Sequence, residues 1–190
     1  LLVLFFSLIL ISPFWCVITF FLLSFTKNNK QKDDVQLFLI LGLSYYLSLI
    51  FYTANLGGDL MIYKELFLSS TDIGIVDFLK DQRKEIIYSV YSYLLNNLTN
   101  GAFDFYIGFT VFIMYFILFK GIINFSKKKL LDSSKINILI IFIAFFPPLF
   151  HLNGIIFRQN LALFILFLGF SMFEKKLFKL IETYKNKVIP

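Results

Sequence analysis

The chain has one cysteine, one histidine and one tryptophan in 190 residues. Cys16 has no partner for an internal disulfide, and no paired-cysteine spacing exists for zinc or thiol redox chemistry. A glycine-rich phosphate loop is missing, which sets aside a nucleotide-binding fold. The D-x-D and H-x-x-x-H metal patterns are also missing, as is the G-x-S-x-G nucleophile turn. No metal and no cofactor is expected. Charged residues make up only 16% of the chain. The net charge of +6 falls in clusters between apolar runs, so nucleic acid is not an expected partner and the membrane is.

What is there is apolar and aromatic. Hydrophobic residues reach 58%, 27 of the residues are Phe, and the mean hydropathy is +0.79. A soluble domain is nearer 45–50% apolar. Several runs are continuously apolar and do not alternate, so they read as helices and not as strands of a barrel. The expected fold is all-α: a polytopic transmembrane bundle of about five membrane helices, forming one domain over 1–190. The chain opens on Leu1 without a basic leader, and its first run is too long for a signal peptide and lacks a cleavage site. It ends in a lysine-rich tail at Pro190. A piece of a longer membrane protein is therefore expected.

Leu1 to Phe25 is the first run, and Pro13 is expected to kink it. A connector holding Lys27, Lys30 and Lys32 leads to the second span, Val35 to Ala54. The segment 56–102 is the one long polar stretch. Asp59 is placed to cap a short helix over Leu60 to Leu68. Ile75 to Lys84 reads as a further helical piece. Residues 85–98 carry apolar side chains at Ile87, Val90, Tyr91, Leu94 and Leu98, a helical stripe too polar to span. An amphipathic helix on the membrane surface is expected there. Phe103 to Phe119 is the third span, extending to about residue 124, with Lys120 able to snorkel. Ile136 to Phe150 is the fourth, stopped by Pro147-Pro148 as a broken or re-entrant end. Ile155 to Phe173 is the fifth.

Thirteen of the eighteen Lys and Arg follow spans one, three and five. The segment 56–102 instead sets Asp59, Glu65, Asp72, Asp77, Asp81 and Glu85 against Lys64, Lys80, Arg83 and Lys84. Positive charge stays in the cytoplasm, so the lysine clusters are inside and 56–102 is outside. The corner Pro147–Gly154 then shares that outer face. Asp59, Glu85, His151 and Arg158 come to one side of the membrane.

Arg158 lies about four residues, roughly 6 Å, inside the outer end of span five. A guanidinium in a membrane helix costs roughly 2.5 to 3.5 kcal/mol on insertion scales. Either it snorkels to headgroups, or its planar fork grips a phosphate in a bidentate way. Gln159 and Asn160 add polar groups where these are unusual. His151 is either a general base, given its near-neutral pKa, or a cap for carbonyls freed by the proline pair. Asp59 is either a helix cap or a base. Glu85 opens a surface helix, where the helix dipole favours an acid. Tyr88, Tyr91 and Tyr93 either stack on sugar faces or form an interfacial belt.

The layout resembles the EpsG family, Wzy-type polymerases of bacterial surface polysaccharides. Two apolar runs flank a short lysine-rich connector. G-G-D-L-M-I-Y-K-E-L-F, Gly57 to Phe67, is similar to the family's Gly/Asp/Tyr pattern, and K-E-I-I-Y, Lys84 to Tyr88, follows it. I-F-R-Q-N-L-A, Ile156 to Ala162, is similar to the family's Arg-Gln-x-x-Ala signature. Members of the family are longer, with more helices. The resemblance implies a glycosyltransferase-type polymerase of the inner membrane that joins polyprenyl-diphosphate-linked oligosaccharides at the outer face. It implies Arg158, His151 and Asp59 as catalytic residues. Gln159, Asn160, Tyr63, Glu85 and Tyr88 are implied to bind substrate. The partners implied are the lipid-linked oligosaccharide, membrane lipids and other polysaccharide-assembly proteins. Two alternatives stand beside it. One is a transporter or flippase fragment with Arg158 on its substrate path. The other is a polyprenyl-phosphate-sugar glycosyltransferase with Asp59 as base.

Overall fold

A computed structural model describes residues 1–26, 29–52, 59–70, 75–77, 86–128, 132–146 and 159–173. Every regular element among them is a helix. In chain order they are α1 (Leu2–Ile11), α2 (Pro13–Thr26), α3 (Asn29–Tyr52), α4 (Asp59–Ser69), α5 (Ile86–Thr99), α6 (Phe103–Lys128), α7 (Ser133–Ala144) and α8 (Gln159–Phe173). One further helical turn covers 75–77.

Two of these, α3 and α6, are long and apolar enough to cross a membrane. Their 24 and 26 residues give lengths of roughly 36 and 39 Å, against a hydrocarbon core of about 30 Å. Both outrun the expected spans. α3 starts six residues before Val35, and α6 continues through the lysines to Lys128. The other apolar helices, α1, α2, α7 and α8, have 10 to 17 residues each. Five full spans are thus not present among the described residues.

The expected first span, 1–25, is corrected outright. Ser12 is extended, at φ −164° and ψ 115°, and separates α1 from α2. Pro13 lacks an N–H and its ring clashes with the preceding turn, so the helix stops before it. The chain then reverses instead of merely bending. Phe5 and Phe20 would stand roughly 22 Å apart along one continuous helix, yet their ring centroids are 5.7 Å apart. Phe5 also stacks on Phe38 of α3 at 4.9 Å. Gly42 makes room for this hairpin: a Cβ there would meet the Cys16 Sγ at 3.4 Å and the Phe5 ring at 3.7 Å.

The lysine-rich ends meet, as Lys127 Nζ lies 2.6 Å from Asp33 Oδ1. Tyr46, roughly 20 Å further along α3, touches Phe14 at the start of α2 at 5.9 Å and Phe145 just past α7 at 6.3 Å. The α1–α2 hairpin and α7 therefore both stop about 9 Å short of the end of α3. The chain leaves α7 toward the end of the bundle opposite the lysines. The proline pair itself lies outside the described residues.

Beside the apolar core, some amides are turned inward and some large apolar side chains outward. Gln36 and Asn137 are both nearly fully buried and join α3 to α7 through an Nε2–H···Oδ1 bond of 2.8 Å. On the same α7, Phe142 is 64% exposed, and Leu166 of α8 is 70% exposed. A water-soluble chain sorts these the other way. A helix bundle in lipid has no hydrophobic reason to hide Phe and every reason to pair an amide. Gln36→Leu is expected to lower stability by about 1–3 kcal/mol, because it leaves the Asn137 amide buried and unpaired. Adding Asn137→Leu is expected to recover most of that loss. Melting in detergent reads both; an unchanged melting point for Gln36→Leu would contradict the pairing.

Candidate functional site

Three helices meet at the end opposite the Asp33–Lys127 pair. α4 places Tyr63 and Phe67 one turn apart on its buried face, which is why a four-residue spacing brings both to one neighbour. α6 begins there with Phe103, Tyr106 and Thr110, again at helical spacing. Phe67 packs on Phe103 at 5.6 Å and on Tyr106 at 4.5 Å. The Lys64 ammonium sits over the Phe103 ring at 6.0 Å.

α5 folds back along the first turns of α6. Asn100 and Gly101, at φ 51° and 80°, close it with two left-handed residues. Glycine suits the second because a side chain is strained in that region. The expected helix over 85–98 is present as Ile86–Thr99, and the face it gives the protein is polar. Ser89, Ser92 and Asn96 are buried, while Leu94 is 52% and Leu98 78% exposed. That is the orientation of a helix whose apolar side meets lipid.

The polar face carries a row of hydroxyls. Tyr88 and Tyr106 share a hydrogen bond between their hydroxyls, and the Tyr106 hydroxyl also lies 3.1 Å from Ser92 Oγ. The Tyr91 hydroxyl lies 2.7 Å from Thr110 Oγ1, which donates to the Tyr106 carbonyl at 2.7 Å. Tyr63 meets the Tyr88 ring edge-on at 5.8 Å. The Asn96 amide donates to the Phe67 carbonyl and, at 2.7 Å, to Ser70 Oγ, tying the end of α4 to α5. Burial pushes the Tyr88 hydroxyl well above the usual tyrosine pKa, and the neighbouring Tyr106 raises it further. Burial also raises Tyr91, against a smaller lowering by the Thr110 bond. Both stay protonated at physiological pH. Each hydroxyl is engaged inside the protein, Tyr88 by Tyr106 and Tyr91 by Thr110.

Of the expected site residues, the structure brings Tyr63 and Tyr88 together. Tyr63 is buried, so its contribution runs through the Tyr88 ring. Asp59 opens α4, though its side chain lies outside the described residues. Gln159 and Asn160 begin α8, the first exposed and the second half-buried. Glu85, His151 and Arg158 lie outside the described residues. Among the described residues no cluster of His, Cys, Asp and Glu is placed to hold a metal. Sequence reasoning missed Tyr106, Ser92, Thr110 and Asn96. The signal was present for α5, where Ser89, Ser92 and Asn96 share a helical face opposite Leu94 and Leu98.

The family model for the EpsG family matches residues 35–181, most of the chain. The chain belongs to the EpsG family. No curated protein and no solved structure matches it. Family membership makes it a membrane protein of the polysaccharide-polymerase type. In this EpsG chain the matched stretch takes in the hydroxyl row, Asp59, Glu85, His151 and the Arg158-Gln159-Asn160 run. The α1–α2 hairpin precedes it.

Proposed function

We propose that the protein polymerises lipid-linked oligosaccharide repeat units into a bacterial capsule, exopolysaccharide or O-antigen. It does so as a multi-pass protein at the outer face of the inner membrane. The observation that carries this reading is that α4, α5 and the start of α6 meet at the end opposite the Asp33–Lys127 pair, the end toward which α7 also leaves. The positive-inside rule makes the lysine-rich end cytoplasmic, so the end that carries the buried hydroxyl row is the outer one, where lipid-linked units wait.

The donor is a sugar chain on a polyprenyl diphosphate, and the acceptor is a hydroxyl of a second lipid-linked unit. The acceptor oxygen bonds to the donor's anomeric carbon as the carbon–oxygen bond to the diphosphate breaks. The bonding pair leaves with the diphosphate, whose growing charge Arg158 meets. The acceptor proton passes to His151 or Asp59. Gln159, Asn160, Glu85 and Tyr88 orient the sugars, with Tyr63 behind Tyr88. No nucleotide sugar is consumed, in keeping with a sequence that has no nucleotide motif.

Cells without a working copy are expected to make and export single repeat units and to lose long chains. Loss of lipid-linked units from the outer face would overturn this reading in favour of a flippase.

A further inference from the structure

We infer that Tyr106 is a positioning residue: its hydroxyl sets the ring of Tyr88 for contact with the sugar. What Tyr88 touches rests on the polymerase reading above. Tyr106 itself touches no substrate, being 1% exposed between α4, α5 and α6.

A tyrosine that stacks on a sugar must hold its ring plane. One anchor is not enough. In α5 the anchors are double, because each of two tyrosines is fixed at its backbone by α5 and at its hydroxyl by α6. Tyr91 is held by Thr110, and Tyr88 by Tyr106. Tyr106 is fixed in turn. Its ring packs on Phe67 at 4.5 Å, on Phe103 at 5.7 Å and on Tyr91 at 5.9 Å. Its hydroxyl also reaches Ser92, one turn on from Tyr88 along the same helix. The Tyr106 oxygen therefore touches α5 at two successive turns and fixes its roll, and with it the plane of Tyr88. Tyr63 closes the edge of the ring at 5.8 Å. The device is geometric.

The test uses the full-length protein in its own cells, supplied with their own lipid-linked units. Tyr106→Phe keeps the ring in its aromatic contacts and removes only the oxygen. It is expected to slow chain elongation about three- to tenfold at matched protein abundance, the range of one hydrogen bond. Tyr88→Phe cuts the same bond from the other side and is expected to match it. The double variant is expected to be no worse than either single one, because residues that act as one unit do not add. Independently, a cysteine at buried Ser89 of α5 is expected to react faster with a membrane-impermeant maleimide once Tyr106→Phe loosens the helix. Losses that multiply in the double variant, or unchanged maleimide labelling, would overturn the positioning role. A normal polysaccharide ladder with faster labelling would overturn the sugar contact. Long chains in cells lacking the protein would sink the polymerase reading, and the labelling alone would then decide whether Tyr106 sets Tyr88.

Discussion

Arg158→Ala is expected to slow polysaccharide elongation by more than a hundredfold, and Arg158→Lys by roughly ten- to a hundredfold, while the protein still inserts. The leaving diphosphate gains charge as its bond to the sugar breaks, so a donor fixed near it acts more strongly in the transition state than in the ground state. A charge-assisted hydrogen bond is worth about 1.5 to 3 kcal/mol, and each ~1.4 kcal/mol is tenfold in rate. Lysine keeps the charge but loses the planar fork that meets two phosphate oxygens at once, and alanine loses both. A side chain that merely reaches for headgroups would behave differently, since lysine snorkels as well as arginine. The ladder of chain lengths at matched abundance separates the two. A normal ladder from Arg158→Ala would remove this arginine from the mechanism.

Gly121→Leu is expected to detach α8 from α6. The notch at Gly121 is filled by the Phe167 ring: a Cβ there would lie 2.7 and 2.8 Å from two ring carbons and 3.5 Å from the Leu168 Cα. Alanine forces the ring aside. Leucine adds further carbons against the α8 backbone, which has no rotamer to yield. Overpacking of this kind costs typically about 1–3 kcal/mol. Because α8 starts at Gln159, directly after Arg158, a displaced α8 moves the expected phosphate grip. Melting in detergent and the polysaccharide ladder are expected to fall together. Adding Phe167→Ala to Gly121→Ala is expected to restore both. A Gly121→Leu protein as stable as its parent would show that this contact does not hold α8.

α3 and α6 were legible because long uninterrupted apolar runs permit little else. The α1–α2 hairpin was not. Hydropathy sees only composition, and Pro13 offers a kink or a reversal equally well. What holds the reversal are contacts remote in sequence, Phe5 against Phe20 and Phe38. The helix at 86–99 was legible from its period, but a period does not say which side faces in. Burial of Ser92 and Asn96 follows from their having protein partners, Tyr106 on α6 and Phe67 and Ser70 at the end of α4. Tyr88 stood out in a polar segment, whereas Tyr106 sits inside an apolar run that marks it only as part of a span. The two residues share one hydrogen bond, so half of that pair was visible and half was not.

The fold-back at Ser12 changes the parity of the chain. A first span over 1–25 would place Leu1 and Thr26 across the membrane from each other. With α1 and α2 antiparallel, the two residues stand toward the same end of the bundle. Leu1 is thereby brought toward the end that carries Asp33 and Lys127, away from the hydroxyl row. A single proline, placed where its two flanking helices have something to close upon, sets which end of the bundle the residues before it reach.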